Sequence, residues 1–205
     1  YVVEKDKNLC DLLKKKFGNK IQIINDDILN LDENKISKNS LIVFGNLPYN
    51  ISTEILLKWI LNLNSNIWFH ELILMFQKEV AERIISKMNN SNYGRLSIIS
   101  QWKLNIKKIT DIKASCFNPR PKVESSLLHF SPKQNSIDLD SNDLEMITRV
   151  FFNQRRKMIK KPFNQLFNDP ILISEKFDIS LSLRPQNIPP KIYYELAKEY
   201  QKLRR

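Results

Sequence analysis

The residues best suited to do chemistry are Asn46-Leu47-Pro48-Tyr49. A carboxamide, a stiffened turn and an aromatic ring follow the apolar run Leu41 to Phe44. A helix-like stretch begins near Ser52, with Ser52 or Thr53 expected to cap it. Ligands in open α/β sheets bind at the C-terminal ends of strands, which is where this spacing puts the group. The chemistry it suits is work on a flat base with an exocyclic amine. Such an amine is a poor nucleophile because its lone pair is delocalised into the ring. Two acceptors on its hydrogens pull the nitrogen toward tetrahedral geometry and free the lone pair. The Asn46 side-chain oxygen is one such acceptor, and the Leu47 carbonyl, held by the fixed φ of Pro48, is the other. Tyr49 offers a stacking face worth about 1–3 kcal/mol.

Two carboxylates join this group. Glu4 ends the apolar run Tyr1 to Val3, and Asp27 follows Ile21 to Ile24. An acid at such a strand end takes ribose hydroxyls, and one at the next strand end can accept from an adenine amine. Either is equally a solvated turn residue when taken alone. His70 and His129 lie in apolar company and read as structural. Cys10 and Cys116 lack metal spacing and read as packing residues in a reducing, cytoplasmic setting. No metal site is expected.

The elements that must position these residues alternate in type. Strands are predicted at 1–4, 21–24, 41–44 and 72–76, and helices at 5–17, from Ser52 onward, at 77–88 and at 94–103. Gly18 stops the first helix. A closing strand pair is predicted at 106–112 and 123–130. The alternation indicates a mostly parallel sheet with helices on both faces. Residues 1–133 form this α/β domain. Residues 134–142 are a polar linker, and 143–205 carry only helical spacing and form a small all-helical domain.

The 205 residues are 42% hydrophobic, ample for a core, and no apolar run approaches the ~20 residues of a membrane span. The net charge is +11, more than half of it after residue 140. A field of that sign attracts polyanions such as nucleic acid, although a lysine-rich solubilising surface gives the same composition.

Gly45 to Thr53 resembles the signature of the ribosomal RNA adenine N6-dimethyltransferase family. Met75 to Ile84, Tyr93-Gly94-Arg95-Leu96-Ser97, Phe117 to Ser126 and Phe152 to Lys157 resemble further blocks of it. The resemblance runs from about residue 1 to 160. It implies a class I S-adenosylmethionine methyltransferase fold, Rossmann-like, with S-adenosylmethionine as the methyl donor and no metal. It assigns the donor ribose to Glu4, its adenine amine to Asp27 and its adenine ring to the Ile28 N–H. Asn46, Leu47 and Tyr49 then hold the target adenine, and Phe117 stacks on its other face. Arg120, Lys122, Arg155, Arg156 and Lys157 become candidates for RNA phosphates.

The implied activity is transfer of methyl groups to two adjacent adenines in the 3′-terminal hairpin of small-subunit ribosomal RNA, in a pre-30S particle, by a cytoplasmic monomer. Two rivals remain. One is the erythromycin-resistance branch acting on large-subunit RNA, which typically has isoleucine where this chain has Leu47. The other is a non-catalytic RNA-binding assembly factor on the same fold. The family's first strand and glycine-rich cofactor loop are not found in the chain, whose Tyr1 falls on the second strand of the full fold. About half of a donor pocket is therefore expected, with weak donor binding and no activity from residues 1–205 in isolation.

Overall fold

The computed structural model describes residues 1–63 and 67–204. The chain begins with strand β1 (Val2–Val3), helix α1 (Lys7–Phe17) and strand β2 (Ile23–Ile24). Asp6 caps α1, accepting from the Asn8 and Leu9 N–H groups, and Gly18 ends it at φ 55°. Then come β3 (Leu41–Asn46), α2 (Ser52–Leu61), β4 (Phe69–Gln77), α3 (Lys78–Ile85), α4 (Arg95–Lys103), β5 (Leu104–Ile112) and β6 (Ser125–Pro132). The C-terminal part is helical: α5 (Ser141–Phe152), α6 (Lys160–Leu166), α7 (Pro170–Lys176) and α8 (Pro190–Leu203).

Among the described residues the strands form two sheets rather than one. β1 and β2 pair in parallel as a two-stranded ribbon, and the other four pair in the order β3-β4-β6-β5. Only β3 and β4 are parallel in the larger sheet; β6 runs antiparallel to both β4 and β5. The expected mostly parallel sheet is thus mixed. The loop from Ala114 to Glu124 is short enough to let β6 return beside β5, and it inserts between β5 and β4.

One face of the larger sheet is sealed. Leu72, Leu74, Phe76, Leu128 and Phe130 lie on it and are fully buried against helix residues such as Ile55, Ile60 and Ile98. The other face is more open. Ile42 and Phe44 of β3 are 57% and 75% exposed, with Glu71, Ile73 and His129 beside them. Among the described residues β3 also has an unpaired edge, because β4 is its one partner.

The helical part continues the same core. Phe151 packs edge-on against Phe163 and Tyr193, with centroids 5.5 and 5.4 Å apart. Tyr194 donates to the Ile98 carbonyl (2.8 Å), and Tyr93 to the Ile188 carbonyl (2.9 Å). Burial pushes both phenols well above their usual range. The polar stretch at 134–142 is docked, not free: Ile137 accepts from the Trp102 indole, and Leu139 is buried.

Candidate active site

β3 delivers the Asn-Leu-Pro-Tyr segment to the C-terminal edge of the sheet, where Asn46 is paired with Met75 of β4. Gly45 stands just before it. A Cβ there would sit 2.8 Å from Leu74 Cδ2 and 2.9 Å from Leu47 Cδ2, so any larger residue would push these two leucine side chains aside. The Ile51 N–H closes the turn onto the Pro48 carbonyl at 3.1 Å. α2 starts without a side-chain cap. Ser52 is its first residue and is buried, and its hydroxyl donates back to the Tyr49 carbonyl at 3.2 Å. The expected cap at Ser52 or Thr53 therefore gives way to a bond that fixes the turn itself.

Two acceptors at the start of this turn are unspent among the described residues. Asn46 is exposed, and among the described residues nothing bonds its side chain or donates to the Leu47 carbonyl. Tyr49 is half-buried, and its hydroxyl lies 2.6 Å from the Ser125 hydroxyl. Phe117, also half-buried, is on the loop that ends at Ser125, and the Asn118–Pro119 bond of that loop is cis. Arg120 and Lys122 of the same loop are exposed. Beneath the loop, Ser126 donates to Asp111 at 2.6 Å, and Lys78 pairs with Glu124 at 2.7 Å. Lys108 and Ser126 together hold the Asp111 carboxyl below the usual range, and the Glu124 carboxylate raises Lys78.

The donor-side candidates stand at the ends of β1 and β2. The Glu4 N–H bonds the Ile24 carbonyl, and the Asn25 amide donates to the Glu4 and Lys5 carbonyls at 2.9 and 3.1 Å. Glu4 Oε1 accepts from the Asp6 N–H. Asp27 accepts from Lys5 Nζ (2.8 Å) and the Leu29 N–H (3.0 Å), and these bonds hold its carboxyl below the usual carboxylate range, the Lys5 bond most. The Ile28 N–H has no partner among the described residues. Two carboxyl groups near neighbouring strand ends, and an N–H without a partner among the described residues, suit ribose hydroxyls, an amine and a ring nitrogen, so these residues fit the adenosine end of the donor.

A buried network, absent from the sequence reading, joins the two sides. Lys58 of α2 donates to the Ile28 carbonyl (2.7 Å), the Leu31 carbonyl (2.5 Å) and Glu33 Oε1 (2.6 Å). The Trp59 indole donates to the same Glu33 oxygen at 2.6 Å. Its only sequence signal is a lysine on the otherwise apolar stripe of α2. Ser125 was missed for a similar reason, since a serine opening an apolar strand is unremarkable.

The basic cluster divides. Arg155 turns its guanidinium onto the Asn90 and Ser91 carbonyls and braces the loop before α4. Arg156 and Lys157 are exposed. Of the cysteines, Cys10 is buried, but Cys116 is exposed and so is not the packing residue expected. His70 is exposed, and His129 lies 3.5 Å from Glu71. Among the described residues no metal-ligating cluster occurs, and no helix is long and apolar enough to cross a membrane.

The sequence profile described as ribosomal RNA adenine dimethylase matches residues 1–202. The chain belongs to that family. Ribosomal RNA small subunit methyltransferase A of Pelagibacter ubique is 65% identical over all 205 residues, which span 78% of that protein. Its namesake from Ehrlichia ruminantium is 40% identical, over 95% of this chain and 75% of the relative. A dimethyladenosine transferase from Plasmodium falciparum superposes with TM-score 0.82 at 24% identity, covering 98% of this chain and 81% of the other. The 23S rRNA methyltransferase ErmE gives 0.67 at 16%, covering 97% and 80%. Both likenesses establish the fold, a class I methyltransferase. Adenine dimethylases take their methyl from S-adenosylmethionine, the donor that the family implies here.

Proposed function

We propose that the chain is the acceptor-binding and adenosine-binding part of an enzyme that dimethylates N6 of two adjacent adenines in the 3′-terminal hairpin of small-subunit ribosomal RNA. The reading is carried by one observation: among the described residues Asn46 Oδ1 and the Leu47 carbonyl are both unspent, on a turn whose aromatic ring is already anchored. Two acceptors on the amine hydrogens and a ring under the base are what a poor amine nucleophile needs. The names of the P. ubique and E. ruminantium relatives favour the small-subunit substrate over the large-subunit one.

In this mechanism the target base leaves its stack, at a cost of a few kcal/mol, and enters between Tyr49 and Phe117. Asn46 and Leu47 accept from its N6 hydrogens and favour the positive charge that develops on nitrogen. Glu4, Asp27 and the Ile28 N–H orient the donor's adenosine, so the acceptor nitrogen and the methyl carbon are held in line. S-adenosylmethionine, when bound, would supply an electrophilic methyl on a sulfonium: the N6 lone pair would form the N–C bond as the C–S bond breaks, the thioether would leave, and the N6 proton would pass to water. Arg120, Lys122, Arg156 and Lys157 contribute phosphate contacts. The substrate is a pre-30S particle and the enzyme a cytoplasmic monomer in the same reading.

The test is methyl transfer by the full-length encoded protein to 30S subunits lacking N6-dimethyladenine, mapped by mass spectrometry. Label confined to two adjacent adenines near the 3′ end supports the reading. Label in 23S RNA, or none, overturns it.

A further inference from the structure

The Tyr49 hydroxyl has no obvious use in stacking, which needs only the face of the ring. In this protein it is spent on Ser125, 2.6 Å away and 76 residues along the chain. Ser125 is fully buried and opens β6. It pairs with Gln77, the last residue of β4, on one side and with Ile112, the last of β5, on the other. Its position is therefore fixed by three strand ends. At the other end of Tyr49, the Ser52 hydroxyl holds the main-chain carbonyl, and the Ile51 N–H closes the turn. The ring is tied at its root and at its tip. A half-buried tyrosine tied only at its root has several staggered conformers, and a base stacked on it would lie in the reactive plane a smaller share of the time.

Ser125 also ends the loop that carries Phe117. That loop is tied at both ends. The Phe117 N–H bonds the Ala114 carbonyl at 3.3 Å, and the Lys78 N–H bonds the Glu124 carbonyl at 3.0 Å. Lys78 Nζ then takes the Glu124 carboxylate as well. The segments bearing the two aromatic residues thus meet at one buried hydroxyl.

We propose that Ser125 is a positioning residue for the target base: its hydroxyl sets the plane of the Tyr49 ring and, through the adjoining loop, the slot between Tyr49 and Phe117. The inference rests on the acceptor-site reading above. It assigns the Tyr49 hydroxyl to anchoring, with the ring face left for the base.

The experiment uses the full-length protein and a small-subunit RNA hairpin carrying 2-aminopurine at the target position, whose fluorescence reports stacking. Methyl transfer is measured in parallel on the unmodified hairpin. Tyr49→Phe, Ser125→Ala and the double variant should each lose about threefold to tenfold in kcat/KM, the worth of one neutral hydrogen bond. The loss should be the same in all three, with hairpin affinity unchanged and the 2-aminopurine signal altered alike. A double variant whose loss is the product of the two single losses overturns the proposal. So does Ser125→Ala with wild-type turnover and signal, even if it melts at a lower temperature. Tyr49→Ala with wild-type turnover would overturn the acceptor-site reading itself, and the proposal with it. The two failures therefore give different results.

Discussion

Lys58 and Glu33 meet at 2.6 Å in the interior, and through them the loop carrying Asp27 and Ile28 is fastened to the helix that follows Tyr49. Their side chains are only 16% and 9% exposed. The ammonium is satisfied by two carbonyls and the carboxylate, and the carboxylate also takes the Trp59 indole. Removing one partner leaves the other charge stranded. Glu33→Ala should therefore cost about 2–4 kcal/mol of stability, seen as a lower denaturant midpoint. A Trp59 emission shift should accompany it. An unchanged midpoint would show that the network does not hold the two sides together.

Asn46 should matter to turnover and not to RNA affinity. Among the described residues its carboxamide makes no hydrogen bond, so in the proposed reading Asn46→Ala removes the acceptor for the amine and breaks no other bond. The expected loss is about 10²–10³ in kcat, the usual effect of deleting one preorganised electrostatic partner. Hairpin binding by fluorescence anisotropy should stay within about twofold, because phosphate contacts dominate affinity. A parallel loss of binding would assign Asn46 to RNA grip instead.

The Asp27 carboxyl should titrate below the ordinary value of about 3.9. The Lys5 bond lowers it most, and the Leu29 N–H adds to that. A depressed carboxylate contributes stability that is present above its unfolded value and lost as pH falls through the folded one. Carboxyl carbon NMR should give a midpoint below that of a model peptide, rising toward it in Lys5→Met. Asp27 therefore stays ionised throughout the neutral and mildly acidic range, which the proposed role as an amine acceptor requires.

Arg155 should separate from its two neighbours. Its guanidinium holds the Asn90 and Ser91 carbonyls, whereas Arg156 and Lys157 are exposed. Neutralising Arg156 and Lys157 together should flatten the salt dependence of RNA affinity by about 1.4–1.8 in log–log slope, if both contact phosphate. Arg155→Ala should instead lower stability with little change in slope. Equal slopes for all three would mean that the contacts seen for Arg155 are given up to RNA.

The Asn46–Tyr49 segment was legible because its meaning is local: four adjacent residues at a strand end. Gly18 was similarly readable as the stop of α1, whereas its Asp6 cap was not singled out. What escaped the sequence is long-range. The bond between Tyr49 and Ser125, and that between Lys58 and Glu33, join segments 76 and 25 residues apart, and hydrophobic periodicity carries no trace of them. Strand limits slipped for the same reason. β4 begins at Phe69 and β5 at Leu104, because pairing with β3 and β6 extends them through His70 and Asn105, which periodicity alone leaves out. The sheet's division into two pieces, with Ile42 and Phe44 open, depends on which strands are neighbours, and that is a property of topology.

The most direct test is to follow labelled methyl from S-adenosylmethionine onto undermethylated 30S subunits, using the full-length protein and its Asn46→Ala variant side by side. The wild type should place the label on N6 of two adjacent adenines near the 3′ end of the small-subunit RNA, and the variant should place almost none while still binding the particle. Equal labelling by both proteins, or label on any other base, would contradict the account.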